Sequence, residues 1–335
     1  NAQPSYAHQR ERRHGQRSIR DREYRVYYYG DGDQLTHVPD HAWVGYRLDS
    51  RQKLQAGIQK VPFGLLPFAS NNFFFSLAFY AGLEDDYDFG FRYSRDMGPW
   101  TLDAAWFPMD EGSWSGDSED SARYSYDIVT DGTRDNDERH QVNLRLARSF
   151  ALGNGVTGEA GASFQYGLIP NGITGRNGHR NAQALHASFD YGPWNLKTEA
   201  IRYAFDLENP AGQDDRYVVM GAFDFPYRVA ARGAIYVAGL AYAWDTVEET
   251  GGLLKSVTFY NDYSYLDKAE DAYSGSQQNV LGAGLDFDGP LYVTLDWALG
   301  RNNAYIGPEF TRALADGGTG GGWSSRVNLN LALYF

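Results

Sequence analysis

The 335-residue chain has no cysteine, which fits a compartment where stray disulfides are a hazard and leaves no Cys/His metal spacing. Methionine is scarce, at 3, and long helical patterns are missing. No run approaches the roughly eighteen apolar residues that a membrane helix needs. The longest mostly apolar stretch, residues 73–83, is too short. Positive charge is in deficit, and the net charge of −13 argues against nucleic acid as a partner. A Gly-Lys phosphate loop and a dinucleotide fingerprint are both lacking, so no cofactor is implied. No signal peptide is visible at Asn1, so the expectation is a mature form or a protein that is not exported.

What the chain does have is aromatics (16%, including 25 Tyr), 38 Gly and a repeated alternation of apolar and polar residues. Residues 52–60 place Leu54, Ala56 and Ile58 opposite Lys53, Gln55, Gly57 and Gln59. Residues 86–94 place Tyr87, Phe89, Phe91 and Tyr93 opposite Asp88, Gly90, Arg92 and Ser94. Successive side chains of a strand point to opposite faces, so this period predicts strands. Similar segments fall at 22–31, 41–49, 99–107, 139–150, 155–168, 179–191, 193–205, 233–245, 254–265, 279–287 and 290–301. A polar second face over this many strands is hard to reconcile with a two-sheet sandwich and natural for a barrel with a watery lumen. Such a barrel escapes the membrane-helix criterion because only alternate residues face lipid.

The last thirteen residues are the most informative. Val327, Leu329, Leu331, Leu333 and Phe335 alternate with Arg326, Asn328 and Asn330. This resembles the closing strand of a bacterial outer-membrane β-barrel, where the final aromatic residues, here Tyr334 and Phe335, belong to the signal read by the barrel assembly machinery. Connection lengths then set the strand count. Short turns at 49–51, 96–99, 152–155, 192–193 and 288–290 contrast with long loops at 108–138, 169–178, 266–278 and 302–322. In such barrels the periplasmic turns are short and the extracellular loops long. All long loops fall on one side only if segments 73–83 and 217–225 are not wall strands. The expected fold is therefore an all-β, transmembrane antiparallel barrel of about fourteen strands over residues 22–335, after a polar, Arg-rich segment 1–21. Sixteen is the alternative, if the Arg-rich start or residues before Asn1 supply a hairpin. Residues 61–85 form a long connection between two good strands; loops this long are usually functional, and this one is expected to fold into the lumen.

Gly57-Ile58-Gln59-Lys60-Val61-Pro62-Phe63-Gly64, a long loop, and then Asp88-Phe89-Gly90-Phe91 resemble the phosphate-selective porin family and its wider relatives. Three Gly-Pro turns, at Gly98, Gly192 and Gly289, and the terminal Phe335 extend the likeness over most of the chain. The resemblance implies a passive channel for small hydrophilic solutes, often a homotrimer, in the outer membrane among lipid and lipopolysaccharide.

Anion selection needs clustered Lys or Arg at the constriction. Residues 61–86 contain neither, so strong phosphate specificity is not expected. The candidate constriction instead carries Phe73, Phe74, Phe75, Phe79 and Tyr80, followed by Glu84, Asp85 and Asp86. On the wall, Arg47, Lys53, Arg92, Arg145 and Arg326 are set against Asp88, Asp103, Glu159, Asp262 and Asp296, a mixed lining expected to make a transverse field across the pore. Inward Gly45, Gly57, Gly90, Gly161, Ser163, Gly282 and Gly284 are expected to leave room for water. The acidic loop 108–138 reads either as a cation-attracting mouth or as a solvated surface loop. His37 and His41 flank Val38-Pro39-Asp40 in an expected loop, where no helical two-histidine metal site forms, so no metal is expected. His186 and Ser188 share a face by a common coincidence, and no enzyme is expected. Three other readings remain: a channel for apolar or aromatic solutes, a barrel hydrolase, and a receptor.

Overall fold

The computed structural model describes residues 20–31, 34–116, 120–317 and 321–333. Tyr334, Phe335 and the Arg-rich segment up to residue 19 lie outside them. In chain order the strands are β1 (Arg20–Asp31), β2 (Gln34–Arg47), β3 (Gln52–Lys60), β4 (Tyr87–Met97), β5 (Trp100–Asp110), β6 (Asp127–Ile128), β7 (Arg139–Ala151), β8 (Val156–Pro170) and β9 (Asn177–Tyr191). They continue as β10 (Trp194–Asp206), β11 (Tyr217–Ala222), β12 (Phe225–Ala230), β13 (Arg232–Asp245), β14 (Leu254–Lys268), β15 (Ser276–Phe287), β16 (Leu291–Arg301) and β17 (Ser324–Leu333). All but β6, β11 and β12 form one antiparallel wall of 14 strands, in chain order from β1 to β17.

The alternation produces this wall directly. Leu185 and Val327 are 67% and 71% exposed, whereas Ile235 and Ala298 on the other face are at 0%. The apolar outer face is continuous across strands, with Phe91 stacked on Trp106 at 6.1 Å and Trp194 against Tyr242 at 4.8 Å. Two Gly-Pro turns close tight hairpins because Gly98 and Gly192 take φ of 72° and 55°, which few other residues adopt cheaply. Each proline precedes its strand rather than starting it. Its carbonyl accepts from the next hairpin, Pro99 from Ser149 N at 2.8 Å and Pro193 from Ala243 N at 2.8 Å.

Two expectations need correction, and a third is met with an addition. Residues 37–41 lie within β2 and not in a loop; a register shift at Arg25/Val26 lets Pro39 pair without breaking the ladder. Residues 217–225 stand outside the wall as expected, yet they are strand: β11 lies between β12 and β6 in a second, three-stranded sheet. All six residues of β11 are buried, so no solvated face imposes an alternation on them. The inward glycines do not leave room for water. A side chain at Gly161 would meet His186, one at Gly282 would meet Tyr260, and one at Gly284 would meet Tyr292. These glycines make space for aromatic and imidazole rings from the same or neighbouring strands.

Candidate functional site

Residues 61–86 leave β3 and return to β4, and the two ends are tied by Val61 N donating to Asp86 O at 2.8 Å. Between them the segment runs along the inward face of the wall. Gly64 N donates to Ser163 Oγ on β8 at 3.0 Å, and Leu65 N to Glu199 on β10 at 3.2 Å. Asn71 N reaches Asp262 on β14 at 2.7 Å, and Leu77 N reaches Ser264 at 3.1 Å. Gln278 on β15 donates to Phe75 O at 2.7 Å. A segment that starts at β3 and bonds to β8, β10, β14 and β15 requires the wall to curl around it.

Glu84 is the hub of this segment. Its carboxylate accepts from Ala69 N, Ser70 N, Ser70 Oγ, Ser76 N and Ser76 Oγ, all within the segment. Burial pushes its pKa above the ordinary carboxylate value, opposed by those bonds. Asp85 pairs with Lys60 at 2.5 Å and accepts from Tyr124 at 2.8 Å. Thus Glu84, Asp85 and Asp86 are buried, not presented to a passing solute. The aromatic residues are also engaged. Phe75 stacks on Phe79 at 4.2 Å, Tyr80 on Tyr305 at 4.9 Å, and Phe73 lies edge-on to Phe74 at 5.5 Å. Phe75, Phe79 and Tyr80 pack in one core with Tyr126 beside β6, Tyr227 in β12 and Phe310 in the 302–323 connection, while Phe73 and Phe74 pack separately against Val280, Ala298 and Ile306.

The wall charges come together laterally rather than across the interior. Arg92 meets Asp103 at 2.8 Å, and Asp103 also accepts from Ser94 at 2.6 Å. Arg145 lies 4.0 Å from the same Asp103, pairs with Glu159, sits 3.2 Å from His186 and donates to Gly64 O at 2.8 Å. Arg47 pairs with Asp21 at 2.9 Å, and Lys53 lies over the Trp43 ring at 3.9 Å. Burial falls along this face. On β8, Gln165 is 0% and Ser163 6% exposed, while the Glu159 side chain is 31% exposed. The interior is filled near the long connections and opens toward the short turns.

Behind the segment lies an acidic cluster whose members were expected in three places: Asp85 and Asp86 at the constriction, Asp88 on the wall, and the others in the 108–138 loop, read as a cation-attracting mouth or a solvated surface. Asp85, Asp86, Asp88, Asp110, Glu111, Asp127 and Glu138 are all buried, beside the cations Lys60, Arg123 and Arg180. Arg123 contacts Asp110 at 2.6 Å and Asp127 at 3.0 Å; Arg180 pairs with Glu138; Gln141 donates to Asp88 at 2.9 Å. Burial drives Glu111 up to about 7 and raises Asp86 and Asp127 well above ordinary carboxylates. Glu199, Lys60 and Arg180 were missed from sequence because their partners are remote in the chain, whereas Arg123 has Asp120 and Asp127 within four residues and was passed over as part of an acidic loop. One local signal existed. Gly64 has φ of 61°, and a side chain there would strike the Glu199 carboxylate, so the glycine of the Lys-Val-Pro-Phe-Gly motif marks the close approach.

A curled all-β wall, apolar outside and polar inside, crossed by an inserted segment, defines an outer-membrane channel of the β-barrel class. The profile of the phosphate-selective porin O and P family matches residues 21–287. The chain belongs to that family. Among solved structures it is similar to the outer membrane channel DcaP of Acinetobacter baumannii, with a TM-score of 0.58 at 13% identity, covering 97% of this chain and 83% of that one. It is also similar to the anion-selective porin from Comamonas acidovorans (TM-score 0.52, 13% identity, 94% and 89% covered). The trimer form of OmpT from Vibrio cholerae gives a TM-score of 0.52 at 12% identity, with 95% and 91% covered. No curated protein matches the chain. The protein is a passive-diffusion porin of the bacterial outer membrane.

Proposed function

We propose that β1 closes on β17 to complete the barrel, and that solutes pass between residues 61–86 and the wall face carrying Arg92 and Glu159, backed by the buried Asp103 and Arg145. The supporting observation is the segment's path from β3 to β15, with Arg145 bonded both to that segment and to the wall. The long connections face outward and the short turns face the periplasm, the order usual for such barrels. The pore is non-enzymatic and takes small polar solutes without strong phosphate selection. Tight phosphate binding needs cationic donors free to turn to the anion. Here Arg92 and Arg145 already face carboxylates. The apolar-solute reading gains no support, since Phe74, Phe79 and Tyr80 are buried in packing. The apolar outer face meets lipid, and a homotrimer fits the trimer form of the OmpT neighbour.

Planar-bilayer recording tests this reading. Stable steps with a small reversal potential in a KCl gradient are expected, with chloride current insensitive to added phosphate. Block of chloride current by millimolar phosphate would overturn the selectivity; silence at all voltages would overturn the open path.

A further inference from the structure

We propose that Asp86, Asp88 and Asp127 form a binding site for a divalent, oxygen-preferring cation of the calcium class, which clamps the inserted segment and the 111–138 connection to the start of β4. Asp86 ends the inserted segment, Asp88 is the second residue of β4, and Asp127 opens β6. Two separate parts of the chain therefore converge there, the 86–88 stretch and Asp127. One carboxylate oxygen from each lies within 4.8 Å of the others. Calcium binds oxygen at about 2.3–2.6 Å, so ligands on opposite sides of one ion are separated by about that spacing.

The second observation is where the hydrogen bonds go. Asp86, Asp88 and Asp127 are 5%, 3% and 0% exposed. Both oxygens of Asp86, Oδ1 of Asp88 and Oδ1 of Asp127 meet no hydrogen-bond donor. The donors present are spent on other atoms: Arg123 on Asp127 Oδ2, and Gln141 on Asp88 Oδ2. Buried polar groups left unpaired are costly, and buried like charges more so. The surrounding carboxylates outnumber the cations, so the protein's own charges do not neutralise the group. A divalent ion supplies the missing charge and takes the orphaned oxygens as ligands. An all-carboxylate set selects hard ions over soft ones, and the spread of its oxygens suits the larger calcium better than the tight octahedron of magnesium.

The test uses the purified full chain in detergent after EDTA treatment, with CaCl2 and TbCl3 as probes. Calorimetry is expected to give one calcium per chain, and millimolar CaCl2 to raise the unfolding temperature. Terbium is expected to luminesce on tyrosine excitation, since Tyr87 and Tyr126 adjoin the ligands in sequence, and calcium is expected to displace it. The double variant D86N/D127N is expected to lose both signals while unfolding in EDTA no earlier than the parent, because it sheds like charge. No heat and no stabilisation by calcium in the parent would overturn the site; the carboxylates would then be held neutral by protons. Equal calcium binding by a folded D86N/D127N would also overturn it. If that variant fails to fold, D88N and the parent titration decide by the same criteria.

Discussion

The two halves of this porin's interior are ordered by different forces. Toward the short turns, the wall is held by its backbone ladder and by side chains paired across adjacent strands, such as Arg92 with Asp103. Toward the long connections, the interior is filled by the 61–86 segment, the β6–β11–β12 sheet and buried charges. There the bonds join residues far apart in the chain: Leu77 to Ser264 over 187 positions, and Gln278 to Phe75 over 203. A ladder tolerates single side-chain losses because its hydrogen bonds are main-chain. A plug held by single carboxylates does not, because each hub satisfies several buried donors at once.

The largest effect is expected from Glu84→Ala, which strips the acceptor from Ala69 N, Ser70 N and Ser76 N together. At about 1–3 kcal/mol for each buried donor left unpaired, the segment should lose its fold while the wall survives. Single-channel conductance should rise several-fold and protease should cut within 61–86; unchanged conductance would mean that the segment does not limit the pore. Asp262→Ala removes the anchor for Asn71 and Asn72 but leaves the Glu84 hub, so a smaller rise is expected, with a cost of about 2 kcal/mol. Arg145→Ala acts where the wall meets the inserted segment, since Arg145 is buried, donates to Gly64 O and pairs with the partly exposed Glu159. It should move the reversal potential toward cations with little change in conductance, at a cost of about 1–2 kcal/mol because Glu159 is partly solvated. The smallest effect should come from Leu329→Ala, at 64% exposed on the outer face. Its side chain leaves lipid rather than a protein core, so about 1 kcal/mol or less is lost and conductance stays as it was. Unfolding of Leu329→Ala as readily as Glu84→Ala, followed by heat-shifted gel mobility, would erase the contrast between the halves.

The wall was legible because a strand with lipid on one side and polar groups on the other must alternate, and the alternation is written residue by residue, as in β16 and β17. The inserted segment was legible only as a long connection with no strand period. Its contacts were not, since nothing local in Glu199 or Asp262 announces a partner more than a hundred residues away. The acidic 108–138 stretch reads from composition as a cation-attracting mouth or a solvated surface, and the structure turns much of it inward because Arg123 and Arg180 meet it there. The inward glycines misled for a related reason: a missing side chain signals space, and only the neighbouring strand decides whether water or a ring takes it.

By itself the sequence determined the all-β class and the two faces of the wall and favoured fourteen strands over sixteen, because each depends on a two-residue period and on connection length; the structure has fourteen. Tertiary structure alone decided which charges stay exposed, which are buried together and where the interior is filled. Those outcomes depend on Coulomb and hydrogen-bond partners brought together by the curl of the sheet, and the chain carries no local record of that curl.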